Sequence, residues 1–285
     1  MPELRPDRIY EVQAPVELPL QQRLSFWVLL WNHAGLRKTL VLACLAALWE
    51  GYAIWLDNQL LFPTLSETLQ AWWSGWLEGP ILLATWSSLQ VLLKGYVCGM
   101  LCAAVFTAFA TATRLGSDVL ETLTAMFNPL PSIALLPLAM IWFGLGEGSI
   151  VFVLIHAVLW AVALNTHAGF RSVSTTWRMV GQNYGLSPLG YVLRILIPGA
   201  FPSILTGLKI GWAFAWRTLI AAELVFGASS GQGGLGWYIF QHKNMLDVPN
   251  VFAGLLTVIL IGLLVENLIF KAIEKRTVVR WGMQH

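Results

Sequence analysis

The chain has 285 residues, of which 57% are hydrophobic and 11% are charged, and its formal net charge is +2. Soluble domains carry about 25% charged residues. A water-soluble fold of this length would lack the polar surface needed to cover its outside, so the composition predicts an integral membrane protein.

Apolar runs along the chain predict the membrane spans. Residues 1–38 precede the first run and predict a cytoplasmic N-terminal tail without a signal peptide, because their start is polar and acidic. Crossing about 30 Å of hydrocarbon takes about 20 helical residues. Residues 60–82 predict a short amphipathic helix on the outer surface, where Trp72, Trp73 and Trp76 suit an interface. The six predicted spans cover about residues 40–56, 86–112, 119–143, 150–170, 195–226 and 251–273.

The basic residues predict the orientation of these spans. With six spans, 13 of the 17 Lys and Arg residues fall on one side, and only Lys243 falls on the other. Because basic loops stay on the cytoplasmic side, both termini are predicted to be cytoplasmic. The residues on the basic side are Arg5, Arg8, Arg23, Arg37, Lys38, Arg114, Arg171, Arg178, Arg194, Lys271, Lys275, Arg276 and Arg280.

The segment 179–198 predicts a helical elbow on the cytoplasmic side. Thr175 or Thr176 is expected to cap its first helix, and Gly185 can adopt the left-handed conformation that ends it. Ser187 followed by Pro188 predicts the start of a second helix, with serine as the N-cap and proline at the first helical position. A compact elbow of this kind suits docking into a groove of a soluble partner.

This segment resembles the coupling loop of ABC-importer permeases, the EAA loop, in which Glu-Ala-Ala precedes a glycine and a later Ile-x-Leu-Pro. Gly185 occupies the glycine position, and Ile195, Ile197 and Pro198 match the end of the pattern. The acidic start is missing, so a salt bridge from it is not expected here. The predicted ATPase-coupling residues, within a loop of about 171–194, are Arg178, Met179, Val180, Gly181, Gly185, Ser187, Pro188, Ile195, Ile197 and Pro198.

The resemblance extends over about residues 60–281, to permeases of the nitrate, sulfonate, taurine and bicarbonate group. It implies a type I ABC importer permease fold over residues 39–285, an all-α membrane protein with about six transmembrane helices. It also implies a second permease subunit, expected as a homodimer, two separate ATP-binding subunits and a periplasmic or lipid-anchored substrate-binding protein in a bacterial inner membrane. The motifs are FPTLSE (62–67), NPLPSIALLPLAMIWFGLGE (128–147), ILTGLKIG (204–211), AAEL (221–224) and GLGW (234–237).

The chain itself is predicted to carry out no bond chemistry. No G-x-x-x-x-G-K-[ST] phosphate loop occurs in the sequence, so ATP is expected to be bound by partner subunits. No catalytic, cofactor or metal site is predicted. The predicted function is therefore the permease subunit of an importer for a small anion or organic acid.

Prolines and charges within the spans are the candidates for the substrate pathway. Pro129 and Pro131 in the third span predict a kink that faces the interior of the bundle. Lys94, Arg217 and Glu223 lie within spans, where charged groups usually face the interior. A structural hydrogen bond is the favoured role for Glu223. The glycine-rich stretch at 227–237 predicts an outer gate or a contact for the binding protein.

Two other classes of function remain open from the sequence. An ion-driven secondary transporter would use mid-membrane carboxylates such as Glu223 and Glu266 and would show an internal repeat, which is not apparent. An intramembrane enzyme would use His156 or His167, but no second histidine or carboxylate accompanies either of them in sequence.

Overall fold

The computed structural model describes residues 32–226 and 233–282. These residues form helices and no strands, which confirms the all-α prediction. They divide after Leu48 into two units, and every site discussed below lies in the second. Most of the predicted tail, and residues 227–232 of the glycine-rich stretch, lie outside the described residues. The helices are α1 (Ala34–Leu56), α2 (Leu65–Leu77), α3 (Pro80–Ala112), α4 (Arg114–Phe127), α5 (Leu136–Phe143), α6 (Glu147–Ser172), α7 (Thr175–Asn183), α8 (Pro188–Val225), α9 (Leu235–Asn244) and α10 (Val248–Val279).

The helices long and apolar enough to cross a membrane match the predicted number of spans. In the described part of the chain, α1, α3, α6, α8 and α10 qualify, and the pair α4–α5 makes six if it counts as one span. The ends of several spans extend further than predicted. Thus α3 begins at Pro80 and α8 at Pro188, because proline at the first helical position costs no hydrogen bond.

The predicted third span over 119–143 is bent more sharply than the expected kink. The helix α4 ends at Phe127, a short 3₁₀ turn covers Ser132–Leu135, and the two halves of the pair are bent by 89°. Pro129 and Pro131 lie in the break between these halves, where a missing backbone donor and a fixed φ oppose a continuing helix. The kink expected from these prolines is therefore a full corner.

Glycines on α3 allow the central helices to pack closely. Gly95 lies against Leu154 of α6, and Gly99 lies against Val158 one turn further on, so the two helices run in the same direction. A Cβ atom at Gly99 would be 2.7 Å from the Cβ of Val158. Small residues at such contacts bring helix backbones together and increase van der Waals packing, which holds helices together inside a membrane.

Substituting Gly99 tests this packing. We expect Gly99→Leu to lower the free energy of unfolding by about 1–3 kcal/mol or more, because the new side chain overlaps Val158. The matched control is Gly51→Leu on α1, where an added Cβ meets no atom within 4 Å. Denaturant unfolding in detergent micelles measures both variants. Equal stability of the two would contradict the close packing of α3 on α6.

The predicted amphipathic helix between the first two spans is present as α2. Thr64 caps it, since its Oγ1 accepts a hydrogen bond from the Glu67 N–H at 3.1 Å and Glu67 accepts one from the Thr64 N–H at 2.9 Å. Trp72 donates its indole N–H to Thr257 of α10 at 3.0 Å, and the side chain of Trp73 is exposed. One face of α2 is therefore fixed on the bundle and the other is free for the membrane interface.

Candidate functional site

The predicted elbow is present between α6 and α8. Its first helix, α7, is capped by Ser174, whose extended backbone places its Oγ to accept from the Trp177 N–H. The prediction of Thr175 or Thr176 as the cap is wrong, because both already lie inside the helix. Gly185 has φ +62°, and the Leu186 N–H donates to the Gly181 carbonyl at 3.3 Å, as in a left-handed helix end.

The second arm of the elbow begins as predicted. Ser187 accepts a hydrogen bond from the Gly190 N–H at 3.2 Å, and Pro188 occupies the first helical position of α8. A π-helical segment, Val192–Leu196, follows and contains the buried Ile195. Ile197 and Pro198 lie half-buried one turn later. This end of the coupling pattern therefore joins the elbow to the long span.

Two contacts fix the elbow on the bundle. The Arg178 guanidinium donates from Nη2 to the Phe170 carbonyl at 2.6 Å and from Nε to the Val173 carbonyl at 3.1 Å. It thus satisfies carbonyls at the C-terminal end of α6, where a cation is favourable. Gly181 is buried against Tyr191, and a Cβ there would be 2.8 Å from the tyrosine ring. Arg178 and Gly181 therefore position the elbow.

The outer face of the elbow is apolar and uncovered in the single chain. The exposed fractions are 62% for Trp177, 60% for Met179, 82% for Tyr184 and 69% for Leu189. Val180 is exposed as well. Large apolar side chains clustered on a surface are typical of a contact with another protein or with a membrane. The elbow therefore presents an exposed apolar face, and Arg178 and Gly181 fix its backbone to the bundle on the other side.

A cavity of about 360 Å³ lies at the corner between α4 and α5, against α6 and α8. It brings together three of the predicted pathway residues, Pro129, Pro131 and Arg217. Two residues that the sequence did not assign to the pathway, His156 and Trp160, line it as well. We call this space the corner cavity.

The corner cavity is electropositive. Arg217 donates from Nε to the Ala213 carbonyl at 3.0 Å, and its guanidinium lies 5.3 Å from the centre of the Phe214 ring. No acidic side chain of the described residues pairs with it. The Nδ1 atom of His156 is 3.1 Å from the Ser132 hydroxyl. The cavity therefore holds the charged guanidinium of Arg217 and the polar side chains of Ser132 and His156 beside aromatic rings.

The other two pathway candidates lie elsewhere. The Nζ atom of Lys94 is 2.6 Å from Oε1 of Glu147 and does not line the corner cavity. Glu223 is 2% exposed and accepts hydrogen bonds from the Ser88 hydroxyl at 2.8 Å and the Gly236 N–H at 2.9 Å. Glu223 thus joins α3, α8 and α9, which agrees with the favoured structural role.

Two residues of these sites, His156 at the corner cavity and Ser88 beside Glu223, were not predicted from the sequence. In the sequence, His156 stands out only as a polar residue within a predicted span, and a serine such as Ser88 is common there and does not stand out. Neither shows its partner in sequence, because Ser132 is 24 positions from His156 and Glu223 is 135 positions from Ser88. Among the described residues, no three His, Cys, Asp or Glu side chains form a metal-binding group.

Comparison with known proteins identifies the family. Residues 95–279 match the family described as binding-protein-dependent transport system inner membrane component. A taurine transport system permease protein of Escherichia coli (strain K12) is 35% identical over 55% of this chain and 56% of its own length.

Two further relatives cover more of the chain. A permease protein of the same organism, named for aliphatic sulfonates transport, is 26% identical over 80% of this chain and 84% of its own length. A nitrate import permease protein of Synechocystis sp. is 25% identical over 86% of this chain and 90% of its own length. These matches confirm the resemblance and the type I permease fold predicted above. The chain therefore belongs to the inner membrane components of binding-protein-dependent transport systems, as a multi-pass permease subunit of an ABC importer.

Proposed function

We propose that this permease carries a small anion, such as a sulfonate, taurine, nitrate, bicarbonate or an organic acid, through the corner cavity. Arg217 carries the proposal, because it is a cation that lines a cavity between candidate spans and has no acidic partner among the described residues. Two other cations within the predicted spans are paired, Lys94 with Glu147 and Lys209 with Glu274, both at 2.6 Å. A cation within the predicted spans favours a counter-ion, and an anionic substrate supplies one.

The names of the relatives support the class of substrate. They are named for taurine, aliphatic sulfonates and nitrate, which are small and carry an anionic oxygen group. A planar guanidinium suits such groups because it donates two parallel hydrogen bonds. The aromatic wall formed by Phe127 and Trp160, whose rings stack with centroids 5.4 Å apart, suits the organic part of a sulfonate.

We further propose that both termini and the elbow lie on the cytoplasmic side. The one-sided distribution of Lys and Arg supports this orientation. There the apolar face of the elbow, with Trp177 and Tyr184, docks onto one of two separate ATP-binding subunits that bind the ATP. A second copy of the permease and an external binding protein complete the importer. The permease itself is not an enzyme in this proposal.

Gly185 tests the coupling role of the elbow. A β-branched residue at φ +62° costs about 1–2 kcal/mol, whereas no atom lies within 4 Å of an added Cβ, so the effect is conformational and not steric. We expect Gly185→Val to reduce ATP-driven uptake in proteoliposomes about fivefold or more while the spans stay inserted. Basal ATP hydrolysis by the partner subunits is expected to lose its response to the loaded binding protein.

The matched control is Gly185→Asn, because asparagine tolerates the left-handed conformation. It is expected to keep most of the uptake and of the stimulated ATP hydrolysis. Normal uptake by Gly185→Val would contradict the proposal that this turn transmits the ATPase motion.

A further inference from the structure

A second electropositive space lies where the elbow meets α3, α4 and α6. It has a volume of about 360 Å³, and the side chains of Arg114, Arg171 and Arg178 line it. Ser117 and His167 line it as well. We call it the arginine cleft. It is separate from the corner cavity, since no residue lines both.

The charges of the arginine cleft are only partly compensated. Arg171 is paired with Glu121 at 2.7 Å, and Arg178 contacts carbonyls but no acid. The side chain of Arg114 makes no hydrogen bond or ion pair within residues 32–226 and 233–282. It is also the first residue of α4, whose positive dipole end adds to the field. The cleft therefore attracts an anion.

His167 and Ser117 form a polar pair that lines the cleft beside its arginines. The His167 side chain is 9% exposed, and its Nε2 atom is 3.1 Å from the Ser117 hydroxyl. Its Nδ1 atom is buried and has no hydrogen-bond partner in the described part of the chain. The His167 ring therefore adds a polar group beside the arginines, while its Nδ1 atom is not accessible from the cleft.

The arginine cleft continues into an apolar cavity of about 640 Å³. The two spaces share Thr111, Ala112, Phe170 and Leu196 at their junction. From there the cavity follows α3 and α8 into the membrane, past Ala108. A free inorganic anion would occupy the cleft and leave this apolar extension empty. An amphiphile with an anionic head and an acyl chain fits both parts.

We propose that the two spaces form one binding site for an anionic phospholipid. Its phosphate lies between Arg114 and Arg178, and one acyl chain lies in the apolar cavity. Basic pockets between transmembrane helices on the cytoplasmic side suit such headgroups, so the site rests on the proposed orientation. Because Arg178 also holds the elbow to α6, the lipid would strengthen the joint between the elbow and the bundle.

Native mass spectrometry of the full chain, purified with its partner subunits, tests the site with added lipid. Adducts are counted on the permease after it is released in the gas phase. We expect phosphatidylglycerol to be retained over phosphatidylcholine of the same chains, and Arg114→Gln to weaken this retention about fivefold. The matched control is Arg276→Gln, an exposed arginine of the same predicted side that lies outside both cavities.

A second variant tests the acyl part independently. Ala108→Trp places a large side chain in the apolar cavity from an exposed position and is expected to weaken retention without changing the cleft. Glycerol 3-phosphate is expected not to displace the lipid at equal concentration. Equal retention of the two lipids, unchanged retention in Arg114→Gln or Ala108→Trp, or displacement by glycerol 3-phosphate would each overturn the lipid site. None of these outcomes depends on transport. The lipid site can therefore fail while the proposed anion pathway, which uptake assays test, still holds.

Discussion

Replacing Arg217 by glutamine is expected to reduce uptake of the transported anion about 10- to 100-fold. A hydrogen bond to a charged group contributes about 1.5–3 kcal/mol, and a factor of ten corresponds to about 1.4 kcal/mol. The loss should appear in transport and not in folding, because Arg217 is exposed to the corner cavity and bonds only to its own helix. Uptake of labelled taurine, an alkanesulfonate and nitrate into proteoliposomes containing the whole transporter measures it.

Two controls separate charge from geometry. Arg217→Lys keeps the charge but loses the planar fork, so an intermediate rate is expected. Lys94→Gln removes a cation that is half-exposed, paired with Glu147 and outside the corner cavity, so uptake close to the unmodified rate is expected. If Lys94→Gln lost as much uptake as Arg217→Gln, or if Arg217→Gln lost none, the corner cavity would not be the anion pathway.

Truncating Glu223 is expected to cause the largest loss of stability in the described bundle. In Glu223→Ala, the Ser88 hydroxyl and the Gly236 N–H both lose their buried acceptor. Each unsatisfied buried group costs about 1–3 kcal/mol, and the cavity adds to this. We therefore expect the free energy of unfolding to fall by about 3–5 kcal/mol, measured by denaturant unfolding in detergent micelles.

The isosteric variant and the partner variant serve as controls. Glu223→Gln keeps one oxygen acceptor and is expected to cost about 1 kcal/mol. Ser88→Ala combined with Glu223→Ala should be less destabilising than the sum of the single variants by about 1 kcal/mol, because the two side chains share their hydrogen bonds. Additive effects, or an unchanged stability of Glu223→Ala, would show that this cluster does not hold α3, α8 and α9 together.

Features that depend on neighbours in sequence could be predicted closely. Gly185 and the Ser187–Pro188 pair define where one helix ends and the next begins, because a left-handed turn and an N-cap are properties of a few adjacent residues. The same rules proposed the wrong cap for α7. Three hydroxyl residues stand in a row there, and only the extended backbone of Ser174 decides among them.

The angle of the bend in the third span could not be predicted from neighbouring residues alone. Pro129 and Pro131 predict an interruption of the helix. The loss of their backbone donors is compatible with a mild kink as well as with the observed corner of 89°. The choice depends on the packing of α4 and α5 against α6, which is a property of the bundle. The corner cavity lies at this sharp corner between α4 and α5.

The membrane class, the approximate number of spans, the elbow and the family could be predicted from the order of residues, since each depends on composition, short spacing or ordered motifs. The pairing of charges within the spans could not be predicted in this way, because it depends on the folded bundle. Lys94 meets Glu147 from 53 positions away, and Lys209 meets Glu274 from 65 positions away. Such pairs join different helices, whose relative rotation and depth are set by packing between them. That packing leaves Arg217 without an acidic partner among the described residues and places it at the corner cavity.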